Sequence, residues 1–98
     1  MSVTIVALWR PRAEERETVT QGVLALAVES RREPGCLEYR VLRDTSSPGE
    51  LLLIERYASP EAVEAHRASA HFQRIVLGDL VKRLERREVR ILEELEVA

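Results

Sequence analysis

The chain has 98 residues, 45% hydrophobic and 33% charged, which suits one soluble domain over 1–98 with a single core and excludes a disordered tail. Fifteen basic against seventeen acidic residues give a net charge of -2, so no global attraction draws it to nucleic acid. No apolar run approaches a bilayer span, and Cys36, the one cysteine, excludes an intrachain disulfide and leaves a poor basis for structural zinc beside two histidines.

"SVTIVALW", Ser2 to Trp9, is rich in β-branched residues and stops at Pro11. It predicts a first strand, with Val3, Ile5, Ala7 and Trp9 on one face and Thr4, Val6 and Leu8 on the other. The same segment lacks the basic leader and small-residue cleavage pattern of a secretory signal, and a cytoplasmic location is expected by default. From Ala13 to Arg32, Val19, Val23, Leu26, Ala27 and Ser30 fall at helical spacing, so one stripe can meet a sheet. Pro34 and Gly35 then turn the chain into "CLEYRVLRD", where Leu37, Tyr39 and Val41 alternate with Cys36, Glu38 and Arg40.

"TSSPG" separates that strand from "ELLLIERY", so residues 36–57 predict a β-hairpin. Ser59 ahead of Pro60 is a helix N-cap for "PEAVEAHRA". Ser69 is a second cap, opening a helix over "AHFQRIVLGDLVKRL" with Phe72, Ile75, Val76 and Leu80 on one stripe. A last strand is expected from Glu88 to Val97. The order βαββααβ predicts an α+β, ferredoxin-like fold, a four-stranded antiparallel sheet with helices on one face. Strands one and three are apolar on both sides, and a monomer would leave one sheet face bare. A homodimer with stacked sheets, a dimeric α+β barrel, is therefore expected.

"EPGCLEYRVLRD", "LLLIERYASPEAVEAH" and "ASAHF" together resemble the antibiotic biosynthesis monooxygenase family. The resemblance covers nearly the whole chain and implies a small dimeric α+β barrel with a chamber between sheet and helices. Tyr57 resembles the Trp that the family's polyketide oxygenases carry at the end of strand three, and Arg74 falls near their helix Arg. Their strand Asn and helix Tyr correspond here to about Leu53 and Val63, so two polar groups are missing. The haem degraders fit worse, since His66 stands where they have Trp and about Val76 where they have the iron-binding His. Quinol-oxidising relatives are nearer, resembling this chain in having a His at both the His66 and His71 positions.

The resemblance implies a cofactor-independent monooxygenase acting on an aromatic quinol or polyketide-like phenol, without metal or cofactor. His71 and His66, with Arg74, are the expected catalytic residues, because imidazole exchanges protons near neutral pH. Tyr39, Tyr57, Phe72 and Glu55 are the expected substrate contacts, the aromatic bodies bracketing a planar ring. Glu55 is also read as a structural ion pair with Arg40 or Arg43 across the hairpin, or as a group orienting a histidine or Arg74. Trp9 is assigned to packing or the dimer edge, and Cys36 is given no role. The readings left open are a dimeric small-molecule binding or stress-response protein without turnover, and an isomerase of a small hydroxy-ketone.

Overall fold

The structure, a computed structural model, describes residues 2–98. Strand β1 (Val3–Pro11) leads through a 3-10 turn (Ala13–Glu15) into helix α1 (Arg16–Arg31), and β2 (Cys36–Arg43) and β3 (Leu51–Tyr57) follow. Helix α2 (Pro60–Ala68), a π-helical turn (Phe72–Leu77), a 3-10 turn (Leu80–Arg83) and β4 (Leu84–Glu93) complete the chain. The strands form one sheet in the order β2-β3-β1-β4 with every neighbouring pair antiparallel, the ferredoxin-like arrangement expected from the element order. Among the described residues no helix is long and apolar enough to cross a membrane.

Register decides which side chains reach the helices. Ile5 pairs with Glu55, Ala7 with Leu53 and Trp9 with Leu51, and all six are buried. The stripe predicted for α1 is the one that packs on them: Val19, Val23, Leu26, Ala27 and Ser30 are buried. Tyr39, Val76 and Leu80 close this core, and a smaller cluster of Ile5, Tyr57 and Val63 lies beneath α2. The opposite face carries Val6, Leu8, Leu52 and Ile54 with no helix over it, and Leu42 and Leu92 beside them are 38% and 43% exposed.

Ser59 caps α2 as predicted, its Oγ accepting the Ala62 N–H at 3.2 Å. Ser69 donates to the His66 carbonyl at 2.6 Å and accepts the Phe72 N–H at 3.2 Å, so it ends one helix and starts the next turn. The regular helix expected after Ser69 is corrected. The chain widens at Phe72–Leu77, where Gly78 N–H bonds to the Gln73 carbonyl five residues back, and then tightens at Leu80–Arg83. This uneven winding keeps both Val76 and Leu80 in the core. A methyl group at Gly22 would come within 2.7 Å of Leu80, so α1 and that last turn meet through the glycine.

The final strand runs four residues earlier than expected, pairing Leu84 with Pro11 and Glu93 with Val3. Residues 85–93 are exposed throughout. Backbone pairing with β1 therefore sets this edge strand, with no buried alternation to mark its limits.

Candidate functional site

A buried carboxylate on β3 anchors the site. Glu55 is 6% exposed and lies on the helix-covered face of the sheet, as do its strand neighbours Leu53 and Tyr57. Tyr57 donates its hydroxyl to Glu55 Oε1 at 2.7 Å, and His66 Nε2 stands 3.6 Å from the same oxygen. Burial raises the carboxyl's pKa to about 7 against the opposing Tyr57 bond, and the charges of Arg67 and Arg87 also pull it down. The expected ion pair of Glu55 with Arg40 or Arg43 is therefore corrected. Glu55 faces the helices, whereas Arg40 stands opposite Ile54 on the bare face and pairs with Glu38.

His66 sits on the inner face of α2, 3% exposed, with Tyr57 and Phe72 rings at 5.0 and 5.1 Å. Its Nδ1 lies 2.8 Å from Glu33 Oε2, and His71 Nε2 lies 2.5 Å from that same atom. The hydrogen-bond network assigns both of those nitrogens as donors, which leaves Nε2 of a neutral His66 as a bare lone pair facing Glu55. Burial lowers the His66 pKa, opposed by its bond to Glu33. Desolvation thus moves the two groups toward each other: a carboxyl that resists ionising faces an imidazole that resists charging. One proton can pass between them at little cost.

Glu33 is held in the turn between α1 and β2, its N–H on the Ser30 carbonyl and its own carbonyl on the Cys36 N–H, both at 3.1 Å. Gly35 brings that turn against α2, because a methyl group there would stand 2.5 Å from the Ala62 methyl. The Glu33 and His71 side chains are 15% and 16% exposed. A chain of alternating carboxylates and imidazoles thus runs from the buried Glu55 through His66 to Glu33 and His71 near solvent.

Beside Glu55 lies a cavity of about 40 Å³, walled by Trp9, Tyr39, His66, Phe72 and Val76, with exposed Arg67 and Arg87 also on its lining. Tyr39 is 2% exposed and burial holds its phenol protonated, its pKa well above the ordinary value. Of the expected residues, His66, Tyr39, Phe72 and Glu55 line this cavity, while Tyr57 stands one hydrogen bond behind it and His71 two, through Glu33. Arg74 is corrected: it is exposed and does not line the cavity. Trp9 packs in the core, as assigned, and contributes a wall of the cavity as well. Glu33, Arg67 and Arg87 escaped the sequence reading, since no local pattern marks a carboxylate in a turn or an arginine on a charged edge strand.

Glu33, His66 and His71 place one ligand atom each within 4.8 Å of one another. Such a donor set suits a divalent ion. The oxygen, however, is 2.5 and 2.8 Å from the two nitrogens, closer than the roughly 3.4 Å that separates ligand atoms around a tetrahedral ion. The spacing fits shared protons better than a metal.

The sequence model described as antibiotic biosynthesis monooxygenase matches residues 2–76. Rv0793 of Mycobacterium tuberculosis, a candidate monooxygenase by its name, is 35% identical over 83 residues, 83% of this chain and 81% of that protein. Its solved structure superposes with a TM-score of 0.93 at 30% identity, covering 100% of this chain and 99% of the other. PA3566 from Pseudomonas aeruginosa gives 0.89 at 25%, covering 97% and 95%. A conserved protein from Methanosarcina mazei Go1, at 23% identity with a TM-score of 0.91 over 97% and 94%, shares the fold.

Proposed function

Because this chain belongs to the antibiotic biosynthesis monooxygenase family, we propose that it is a cofactor-independent monooxygenase acting on an aromatic quinol or polyketide-like phenol, with Glu55 and His66 as its acid–base pair. The observation that carries this reading is the buried Glu55–His66 couple, 3.6 Å apart beside the cavity and linked by Glu33 to the surface. A bound phenol gives its proton to the couple. The ring is then electron-rich enough to reduce dioxygen itself. One oxygen atom replaces two substrate hydrogens, the other leaves as water, and the substrate supplies all four electrons. His66 passes the proton on to Glu33, and His71 holds Glu33 in position while opening the chain to solvent.

Tyr57 orients Glu55 through its hydroxyl, and Tyr39 and Phe72 bracket the ring. A cavity of about 40 Å³ has room for water but not for a ring, so binding pushes a wall outward. The bare sheet face supports a second part of the proposal, a homodimer in which Val6, Leu8, Leu52 and Ile54 of two chains pack together.

Oxygen uptake by metal-free protein with a panel of reduced naphthoquinones and anthrones tests the chemistry. Uptake above the spontaneous rate is expected, and Glu55→Gln or His66→Gln should lower turnover by about 10²- to 10⁴-fold while changing binding far less. Spontaneous rates across the panel, with one compound still raising the melting temperature, would convert the protein to a binding module.

A further inference from the structure

We propose that Arg67 and Arg87 form a receptor for an anionic substituent of the substrate, a ring carboxylate, so that the preferred ligand is a hydroxyaryl acid and not a neutral phenol. The ring's place in the cavity rests on the oxygenase reading. The anion's place rests on the two arginines alone.

Arg67 comes from α2 and Arg87 from β4, yet both line the cavity beside Glu55. Neither has a carboxylate oxygen within 4 Å among the described residues. Other arginines nearby do: Arg86, one residue away, pairs with Glu88, and Arg83 pairs with Glu15 and Asp79. Two like charges brought to one opening by separate elements repel each other, and an anion between them relieves the cost. Each guanidinium offers a planar fork that matches a carboxylate, which favours that group over a diffuse phenolate.

The neighbouring wall has the same polarity. The Arg87 guanidinium carbon lies 5.9 Å from the centre of the Trp9 ring, close enough for the aromatic face to hold it at the cavity edge. Trp9 itself is 2% exposed, and its indole N–H has no partner among the described residues. A buried donor left unpaired is uncommon, and an acceptor arriving with the ligand satisfies it. Three residues that carry donors, Arg67, Arg87 and Trp9, therefore line one small space. An anion seated there also screens Glu55 from the two positive charges that oppose its holding a proton, so the ligand strengthens the base that acts on it.

The test is equilibrium binding in the absence of oxygen, comparing 1-naphthol with 1-hydroxy-2-naphthoate, which differ by the carboxylate. Wild type should prefer the acid by about tenfold or more. The double variant Arg67→Gln/Arg87→Gln should lose that preference while keeping its affinity for 1-naphthol, and Glu55→Gln should keep the preference. Equal affinities in wild type, a preference that survives the double variant, or no binding of either compound would overturn the proposal. So would dissociation of a ligand-free dimer on Arg87→Gln, which would show that a carboxylate of a second copy already occupies the arginines. Preference without oxygen uptake would leave this receptor standing and sink the oxygenase. Oxygen uptake without preference would do the reverse.

Discussion

The two faces of the sheet follow the same alternation but end differently. On one, Ile5, Ala7, Trp9, Leu51, Leu53 and Tyr57 are buried by α1, α2 and the turns that follow. On the other, Val6, Leu8, Leu52 and Ile54 are apolar neighbours with no helix above them among the described residues. The covered face could therefore take up a charge-bearing group, Glu55, because surrounding helices supply its partners. An uncovered face has no such shelter, and its apolar residues make sense as half of an interface. On the function and dimer proposed above, one strand would serve two purposes, chemistry inward and assembly outward.

Adjacent residues of β3 sharpen the contrast most strongly. Leu53→Ala, on the covered face, should cost about 2–5 kcal/mol in urea unfolding, because the packed site cannot collapse around the lost atoms. A cost near that of an ordinary surface change would mean that the core is less tightly filled than its burial implies.

Next in size is the effect of pH. Burial pushes the folded Glu55 carboxyl up to about 7 from its ordinary value of about 4.5. A carboxyl whose folded pKa is raised contributes its stability fully below pH 4.5 and loses it as pH rises to about 7, here about 3 kcal/mol. His66, with its folded pKa depressed, works the other way, contributing stability above its unfolded pKa that is lost as pH falls. Comparison with Glu55→Gln isolates the carboxyl: wild type should weaken relative to the variant between about pH 5 and pH 7. Parallel profiles would mean that Glu55 is not desolvated.

Leu52→Arg, on the uncovered face, should change the unfolding free energy of a single chain by only about 0.5 kcal/mol. Its signature is instead in mass. Sedimentation at micromolar concentration should give a two-subunit species for wild type and one subunit for the variant. A wild-type monomer would remove the interface from that face.

The covered face also accounts for what could be read from residues alone. The α1 stripe, the hairpin and the Ser59 cap are local patterns, and each lies where the pattern put it. The winding after Ser69 was hidden because a π-helical turn and a 3-10 turn present the same apolar residues as a regular helix would. Within the site, His66 was visible through the family resemblance and the chemistry of imidazole, and Glu55 as an acidic residue two positions before Tyr57 on the same strand face. Glu33 was not, since its role depends on contacts 33 and 38 residues along the chain. Arg74 carried a family position that the irregular turn directs to solvent.

Gly35 has a bearing on how such a site could be lost. Its contact with Ala62 holds the Glu33 turn and α2 at a separation no side chain would permit. A methyl group added there would push the helix away and stretch the Glu33–His66 bond while every acid, base and aromatic remained in the sequence. Inventory alone would then pronounce the site whole when its wiring had been cut, so the glycine belongs to the machinery even though it carries no functional group.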